Sequence, residues 1–423
     1  MHLEYRSFSD LNQKIIIAKS ILLILLIYLP VSCINKKEAL PVNVIPLASA
    51  VGNYSILDLS EYVTEIRYIP LETNDSVLLG ELRLINYENK KILIKDSNQK
   101  CLLFDENGKF CRKIGQSGQG PDDYLMIRQS FIHDNYIFLQ DRLKILIYDT
   151  DGHLVEKINW RLDDFPAEYT AQGVNIVPLK KDTFVMNVAS MEGYYPKAIL
   201  FETHQSGVKI IKEYPNSVTL DKVRPIFFSS ESGIMYRFQN DVRIYKGVND
   251  TVFTIGQNTE IEAAFIFESG KYKPARSFFE GREDSRTALN NYITILSIFE
   301  SFNHLFIGFS FGKYAPEPVE FINSQGGQYA NTNVDGVFDK HTGELALMRQ
   351  PIKGKWGFNN DIDFGPVIWP HYVSSSNELV SVIQPEEFME YYNKITNPSA
   401  ELTEIAHKMK WDDNPIVIVA KLK

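Results

Sequence analysis

Side chains that could do chemistry gather most densely between Asp361 and His371, where Asp361, Asp363, Trp369 and His371 share a segment rich in Gly and Pro. Two carboxylates, an indole and an imidazole offer a stacking face and hydrogen-bonding groups, the combination that sugar recognition uses. A turn with a packed Trp would use the same residues, so they are expected as ligand-binding, not catalytic. The loop Gly115-Gln116-Ser117-Gly118-Gln119-Gly120 resembles a phosphate cradle, yet it lacks the Gly-Lys-Ser/Thr ending and no helix is predicted after it. It reads as a connector. Gly-x-Ser-x-Gly elbows, His-x-x-x-His pairs and the Ser-x-Asp-x-Gly-x-x-Trp box are all missing from the sequence. The reading therefore assigns no catalytic residue, no metal and no cofactor.

The elements that must position these residues are strands. Tyr (22) and Phe (26) are abundant, and short β-branched or aromatic runs recur between Gly, Asn and Asp turns. One unit repeats. Ile92-Leu93-Ile94-Lys95-Asp96 is followed by Cys101-Leu102-Leu103-Phe104-Asp105-Glu106-Asn107-Gly108, and Ile137-Phe138-Leu139-Gln140-Asp141 by Ile145-Leu146-Ile147-Tyr148-Asp149-Thr150-Asp151-Gly152. Gly108 and Gly152 lie 44 residues apart, as do Asp105 and Asp149, which is the period of propeller blades. Weaker copies pair 182–186 with 198–202, 234–238 with 249–253, and 304–307 with 336–344. Five hairpins plus material from the two chain ends predict an all-β, six-bladed β-propeller. The run Pro415-Ile416-Val417-Ile418-Val419-Ala420-Lys421-Leu422 is expected to close the ring beside N-terminal strands, since an open ring would expose two sheet edges. Helical periodicity over Glu280–Glu300, Pro385–Ile395 and Glu401–Lys410 predicts a few inserted helices. Cys101 and Cys111 flank a predicted hairpin slightly out of register, which favours packed thiols over a disulfide.

The N-terminus carries an address. Arg6, Lys14 and Lys19 precede the apolar run Ile21–Leu29, nine residues long. A signal-peptide core needs about 7–15 apolar residues and a membrane span about 20, so the run reads as a signal. Leu29-Pro30-Val31-Ser32-Cys33 resembles the bacterial lipobox, with Pro30 where the usual pattern has Leu. Cys33 is expected to carry the lipid, giving a signal at residues 1–32, a tether at 33–50 and the propeller at 51–423. The membrane then becomes a partner through that lipid. A net charge of −9 argues against nucleic acid as a partner, which would call for a basic patch.

The stretch Ser60-Glu61-Tyr62-Val63-Thr64-Glu65-Ile66-Arg67-Tyr68-Ile69-Pro70-Leu71-Glu72-Thr73-Asn74 resembles the opening of a family of six-bladed β-propeller lipoproteins common in gut Bacteroidota. Ile114-Gly115-Gln116-Ser117-Gly118-Gln119-Gly120-Pro121-Asp122-Asp123-Tyr124, Asn359-Asn360-Asp361-Ile362-Asp363 and Asp413-Asn414-Pro415 resemble further segments of it. Its blades are similar to those of NHL-repeat proteins. The resemblance implies a propeller and an outer-membrane lipoprotein facing the periplasm or the cell surface; it supplies no catalytic residues. The expected function is binding of a glycan, peptide or protein partner through the loop face or central funnel. The alternative is a propeller hydrolase or lyase acting on carbohydrate or lactone, which would need acids from different blades to converge at the channel.

Overall fold

Asn89 and Lys90 both have left-handed φ (51° and 60°), as do Asp134 and Asn135 (49° and 62°). That is the backbone of the two-residue hairpin turn, which Asn and Asp tolerate better than other residues with a Cβ. Each such turn joins the innermost strand of a blade to its second strand. The computed structural model describes residues 43–141, 144–159, 175–187, 197–204, 207–216, 233–280, 282–283, 290–322 and 326–423. Cys33 and the 1–32 signal lie outside the described residues.

Six antiparallel sheets form the blades of a β-propeller. Blade 1 runs Leu82–Glu88, Lys91–Asp96, Cys101–Asp105 and Phe110–Lys113, and blade 2 Gln129–His133, Tyr136–Gln140, Lys144–Asp149 and Leu154–Asn159. Blade 3 has Asn175–Pro178, Thr183–Asn187, Ala198–His204 and Gly207–Tyr214; blade 4 has Ile234–Phe238, Asp241–Tyr245, Thr251–Ile255 and Ile261–Phe267. Blade 5 uses Thr294–Glu300, His304–Ser310, Asn333–Asp339 and Leu345–Met348. Blade 6 takes Tyr372–Val373, Glu378–Ile383 and Ile416–Leu422 from the end of the chain and its outer strand, Val63–Pro70, from the beginning.

The ring closes as expected. Ile416–Leu422 lies between Glu378–Ile383 and Val63–Pro70, with Val417 opposite Ile69 and Val419 opposite Arg67. Its two faces serve two cores: Ile416, Ile418 and Ala420 pack toward blade 5, Val417 and Val419 toward blade 1. Each of the six gaps between neighbouring blades is filled by an apolar cluster of this kind. Gly108 marks how near blades 1 and 6 approach: at φ 78°, a Cβ there would lie 2.3 Å from the Pro70 carbonyl.

Three local expectations differ from the structure. Thr294–Glu300, expected within a helix, is the inner strand of blade 5. A bulge between Ile295 and Ser297 breaks its two-residue alternation, so buried Ile295 and Ile298 fall three apart and imitate a helical stripe. Of the rest of that stretch, Asn290 and Asn291 are helical and 284–289 lie outside the described residues; a one-turn helix, Arg276–Phe279, precedes it. In blade 4 the quoted run 234–238 is the first strand, not the second as in the other copies, because Asp241–Tyr245 intervenes before Thr251–Ile255. Residues 43–50, expected as tether, include a strand Asn43–Ile45 pairing in parallel with Ile261–Phe267 and a short helix Leu47–Ala50. Tyr54–Ser55 then pairs with Leu345–Met348, so the N-terminal segment edges blades 4 and 5 before completing blade 6.

Insertions decorate the end away from the first hairpin turns. Blade 5 carries the two-stranded hairpin Val319–Ile322 and Gln328–Asn331, and blade 6 the helices Pro385–Tyr392 and Ala400–Lys408, the two C-terminal helices that the periodicity predicts. Cys101 is a buried free thiol and Cys111 a half-buried one. No helix among the described residues is long and apolar enough to cross a membrane.

Candidate functional site

The inner strands of blades 1, 2, 4, 5 and 6 surround a cavity of about 730 Å³ on the propeller axis. The first hairpin turns ring its mouth, and being rich in Asn, Gln and Ser they bring Asn89, Asn135, Gln239, Asn240 and Ser375 to it. Phe238 and half-exposed Phe302 add an aromatic pair, with ring centroids 6.3 Å apart in an edge contact. Turns link across blades: the Phe302 N–H donates to Asn377 Oδ1 at 2.9 Å.

Three carboxylates line the cavity, Glu88, Asp134 and Glu300, and the protein's own donors saturate Glu88 and Glu300. Glu88 of blade 1 accepts from the Tyr372 hydroxyl at 2.7 Å, from the Ser375 N–H at 2.9 Å and from the Ser375 hydroxyl, all in blade 6. Glu300 of blade 5, its side chain 1% exposed, accepts from the Tyr236 hydroxyl (3.0 Å), Arg243 Nε (3.0 Å) and Nη2 (3.2 Å), and Lys340 Nζ (2.8 Å). Both cations also lie over the Phe238 ring, Lys340 Nζ at 4.2 Å and the Arg243 guanidinium at 5.2 Å. Burial lowers the Lys340 pKa and Glu300 opposes that shift; the phenols of Tyr236 and Tyr372 are driven well above their ordinary range by burial and the adjacent carboxylates.

Arg237 and His133 form the third polar group. Arg237 donates to the Pro178 carbonyl of blade 3 and to Gln239 O at 3.2 Å, and burial lowers its pKa. The His133 pKa is lowered by burial and then by the Arg237 charge, against Asp134 at 3.2 Å. Its imidazole is therefore neutral at pH 7. Asp134 is largely exposed, and with Glu88 and Glu300 committed no pair of free carboxylates lines the cavity among the described residues; the hydrolase or lyase alternative gains no support. Among the described residues no three His, Cys, Asp or Glu side chains are grouped to hold a metal ion.

The cluster singled out in the sequence lies elsewhere, in the connection from blade 5 to blade 6, and divides into two. Asp361 accepts from the Ser60 N–H (2.9 Å) and hydroxyl (2.6 Å). Asp363 accepts from the Tyr68 hydroxyl (3.1 Å), the Asn360 amide (2.7 Å) and the Gly365 N–H (2.9 Å). Both carboxylates thus pin this connection to the N-terminal segment. Trp369 and His371 instead share a separate cleft of about 300 Å³. The axial residues escaped the sequence reading because all the repeats but that of blade 4 were recognised from their second strands; the signal lay in the residues just before the turns, at Glu88, His133 and Glu300.

No curated protein sequence matches the chain. Among solved structures it is similar to a Bacteroides fragilis protein inferred to be exported, at 19% identity and TM-score 0.65, over 90% of this chain and 99% of that one. More distant likenesses are to the WD40 domain of Neurospora crassa Pan2 (10% identity, TM-score 0.35, 70% of this chain and 73% of that) and to virginiamycin B lyase of Staphylococcus aureus (11%, 0.36, 70% and 93%). At residues 42–421 the sequence matches the family model described as Domain of unknown function (DUF4934), and with that match spanning nearly all of the propeller, the chain belongs to this family.

Proposed function

We propose that this is an envelope lipoprotein, anchored to the outer membrane through Cys33, whose propeller binds a glycan, peptide or protein partner at the axial cavity without transforming it. The observation that carries the reading is the division of labour around the cavity. Glu88 and Glu300 are consumed by bonds between blades, whereas the exposed groups at the mouth are amides, hydroxyls, the Phe302 ring and the Asp134 carboxylate. Amides and an aromatic face recognise a partner without activating it. Export accords with the N-terminal signal pattern, and the Bacteroides fragilis protein of similar fold is itself inferred to be exported.

Two measurements test this. Probing glycan and peptide arrays should give a defined set of ligands, and Phe302→Ala or Asn135→Ala should weaken their binding without lowering the melting temperature; ligands indifferent to both substitutions would place binding elsewhere. Labelled palmitate should enter the wild type and not Cys33→Ala. Equal labelling of the two would remove the anchor from the proposal.

A further inference from the structure

The cleft shared by Trp369 and His371 lies between blade 6 and the connection and helix that cover its end, and its walls hold polar groups in a different state from those of the axial cavity. Tyr391, from the helix Pro385–Tyr392, is 9% exposed, and its hydroxyl has only the Val367 backbone near it, outside good hydrogen-bonding geometry. A buried hydroxyl left so costs free energy unless a partner is supplied. His371 is exposed at the cleft surface, with Nδ1 only weakly engaged, 3.4 Å from the Ser381 hydroxyl. Enclosure by the walls lowers its pKa, against a bond to the Trp369 backbone, so it is uncharged at neutral pH.

The aromatic walls are fixed beforehand. Trp356 donates from Nε1 to the Asn333 carbonyl at 2.9 Å, and Trp369 is held against Phe306 and Phe358 at centroid distances of 6.1 and 5.6 Å. Charge then selects the occupant. Lys355 is paired with Glu387 and its Nζ lies 5.7 Å from the Tyr391 ring centroid, so a cationic ligand would compete with a cation already in place. An anion would meet the Glu387 carboxylate. A purely apolar group would leave the Tyr391 hydroxyl and the imidazole unpaired. A neutral ring with an apolar face and hydroxyls on its edge satisfies every wall, and about 300 Å³ lies at the small end of ligand pockets.

We propose that this cleft binds one neutral pyranose unit, stacked on the indole walls and hydrogen-bonded to the Tyr391 hydroxyl and the His371 imidazole. The site is separate from the axial cavity and does not depend on the function proposed there. Saturation-transfer NMR and titration of the purified protein with methyl β-D-glucopyranoside, methyl β-D-galactopyranoside and methyl α-D-mannopyranoside test it. At least one should bind saturably. Tyr391→Phe should weaken that binding about tenfold while the melting temperature stays nearly level, because the substitution deletes only an oxygen poorly engaged by the protein itself. Phe302→Ala, in the axial cavity, should leave this binding unchanged. The proposal is overturned if none of the three sugars binds, if Tyr391→Phe binds as the wild type does, or if Phe302→Ala abolishes binding and so assigns the sugar to the axis.

Discussion

Blade 5 has two unlike flanks. Toward blade 4, Glu300 gathers Tyr236, Arg243 and Lys340, and the apolar cluster behind it runs from Val252 through Phe338. Toward blade 6, Asp335 stands two residues from Val337 on the same face of its strand; it is 7% exposed, and its Oδ2 has no hydrogen-bond partner. Gly308, directly opposite Asp335 in the neighbouring strand, brings no side chain. One flank satisfies its buried charge fully and the other leaves a carboxyl under-satisfied. The first is built for cohesion, and the second trades cohesion for unused hydrogen-bonding capacity.

The comparison can be broken most severely by removing what both flanks rely on. Deleting Pro415–Lys423 takes a central strand from blade 6, including fully buried Ile416, Val417 and Ala420. Each buried Val or Ile contributes roughly 1.5–3 kcal/mol, so the loss approaches the 5–15 kcal/mol that stabilises a typical domain. The truncated protein should be insoluble, or cleaved throughout by protease under native conditions. Melting within a few degrees of the intact protein would show the strand to be peripheral.

Glu300→Ala acts on the cohesive flank alone. It strands two buried cations, which costs about 3–5 kcal/mol, and urea denaturation should show the midpoint falling accordingly. Asp335→Asn should act with the opposite sign. Burial pushes the Asp335 carboxyl up to about 7, above its unfolded value near 3.9. Below pH 4 both states hold the proton and the shift has no effect. Between about pH 4 and 7 the unfolded chain releases its proton first, so the wild type loses stability as pH rises, by at most about 4 kcal/mol. Asp335→Asn should remove that slope and be the more stable protein at pH 8; an unchanged pH profile would place the cause of any slope elsewhere. The smallest effect belongs to the cover of blade 6, where Ser399 caps the helix Ala400–Lys408 by accepting from the Leu402 N–H at 3.2 Å. Ser399→Ala should cost about 1 kcal/mol in the same denaturation experiment.

Legibility in the sequence followed the same division. Blades 1 and 2 announce themselves because their hairpins are tight and unbroken, so Asp105 and Asp149 cap matching turns, each through its Oδ1. Ile416–Leu422 was legible because both its faces are apolar, the pattern of a strand covered on both sides. Blade 5 was legible only in its two middle strands, through 304–307 and 336–344, and its inner strand was not, since a bulge breaks its alternation. Trp369 and His371 fall in one cleft, whereas Asp361 and Asp363 bond Ser60 and Tyr68, about 300 residues away in the chain. Those contacts depend on a closure that local spacing does not encode. Glu88 and Glu300 were invisible for a related reason: each is defined by partners on a neighbouring blade.

The outer strand of blade 6 also sets an order of events during synthesis. Val63–Pro70 leaves the ribosome before five whole blades are made, and its partner Ile416–Leu422 follows only after them. Contacts of that range form late and slowly. Until the final strand emerges, Val63–Pro70 has an unpaired ladder edge and blade 1 lacks one wall of its core. The ring therefore stays open from its first blade until Ile416–Leu422 has been made, and the exposed edge calls for a chaperone to shield it meanwhile.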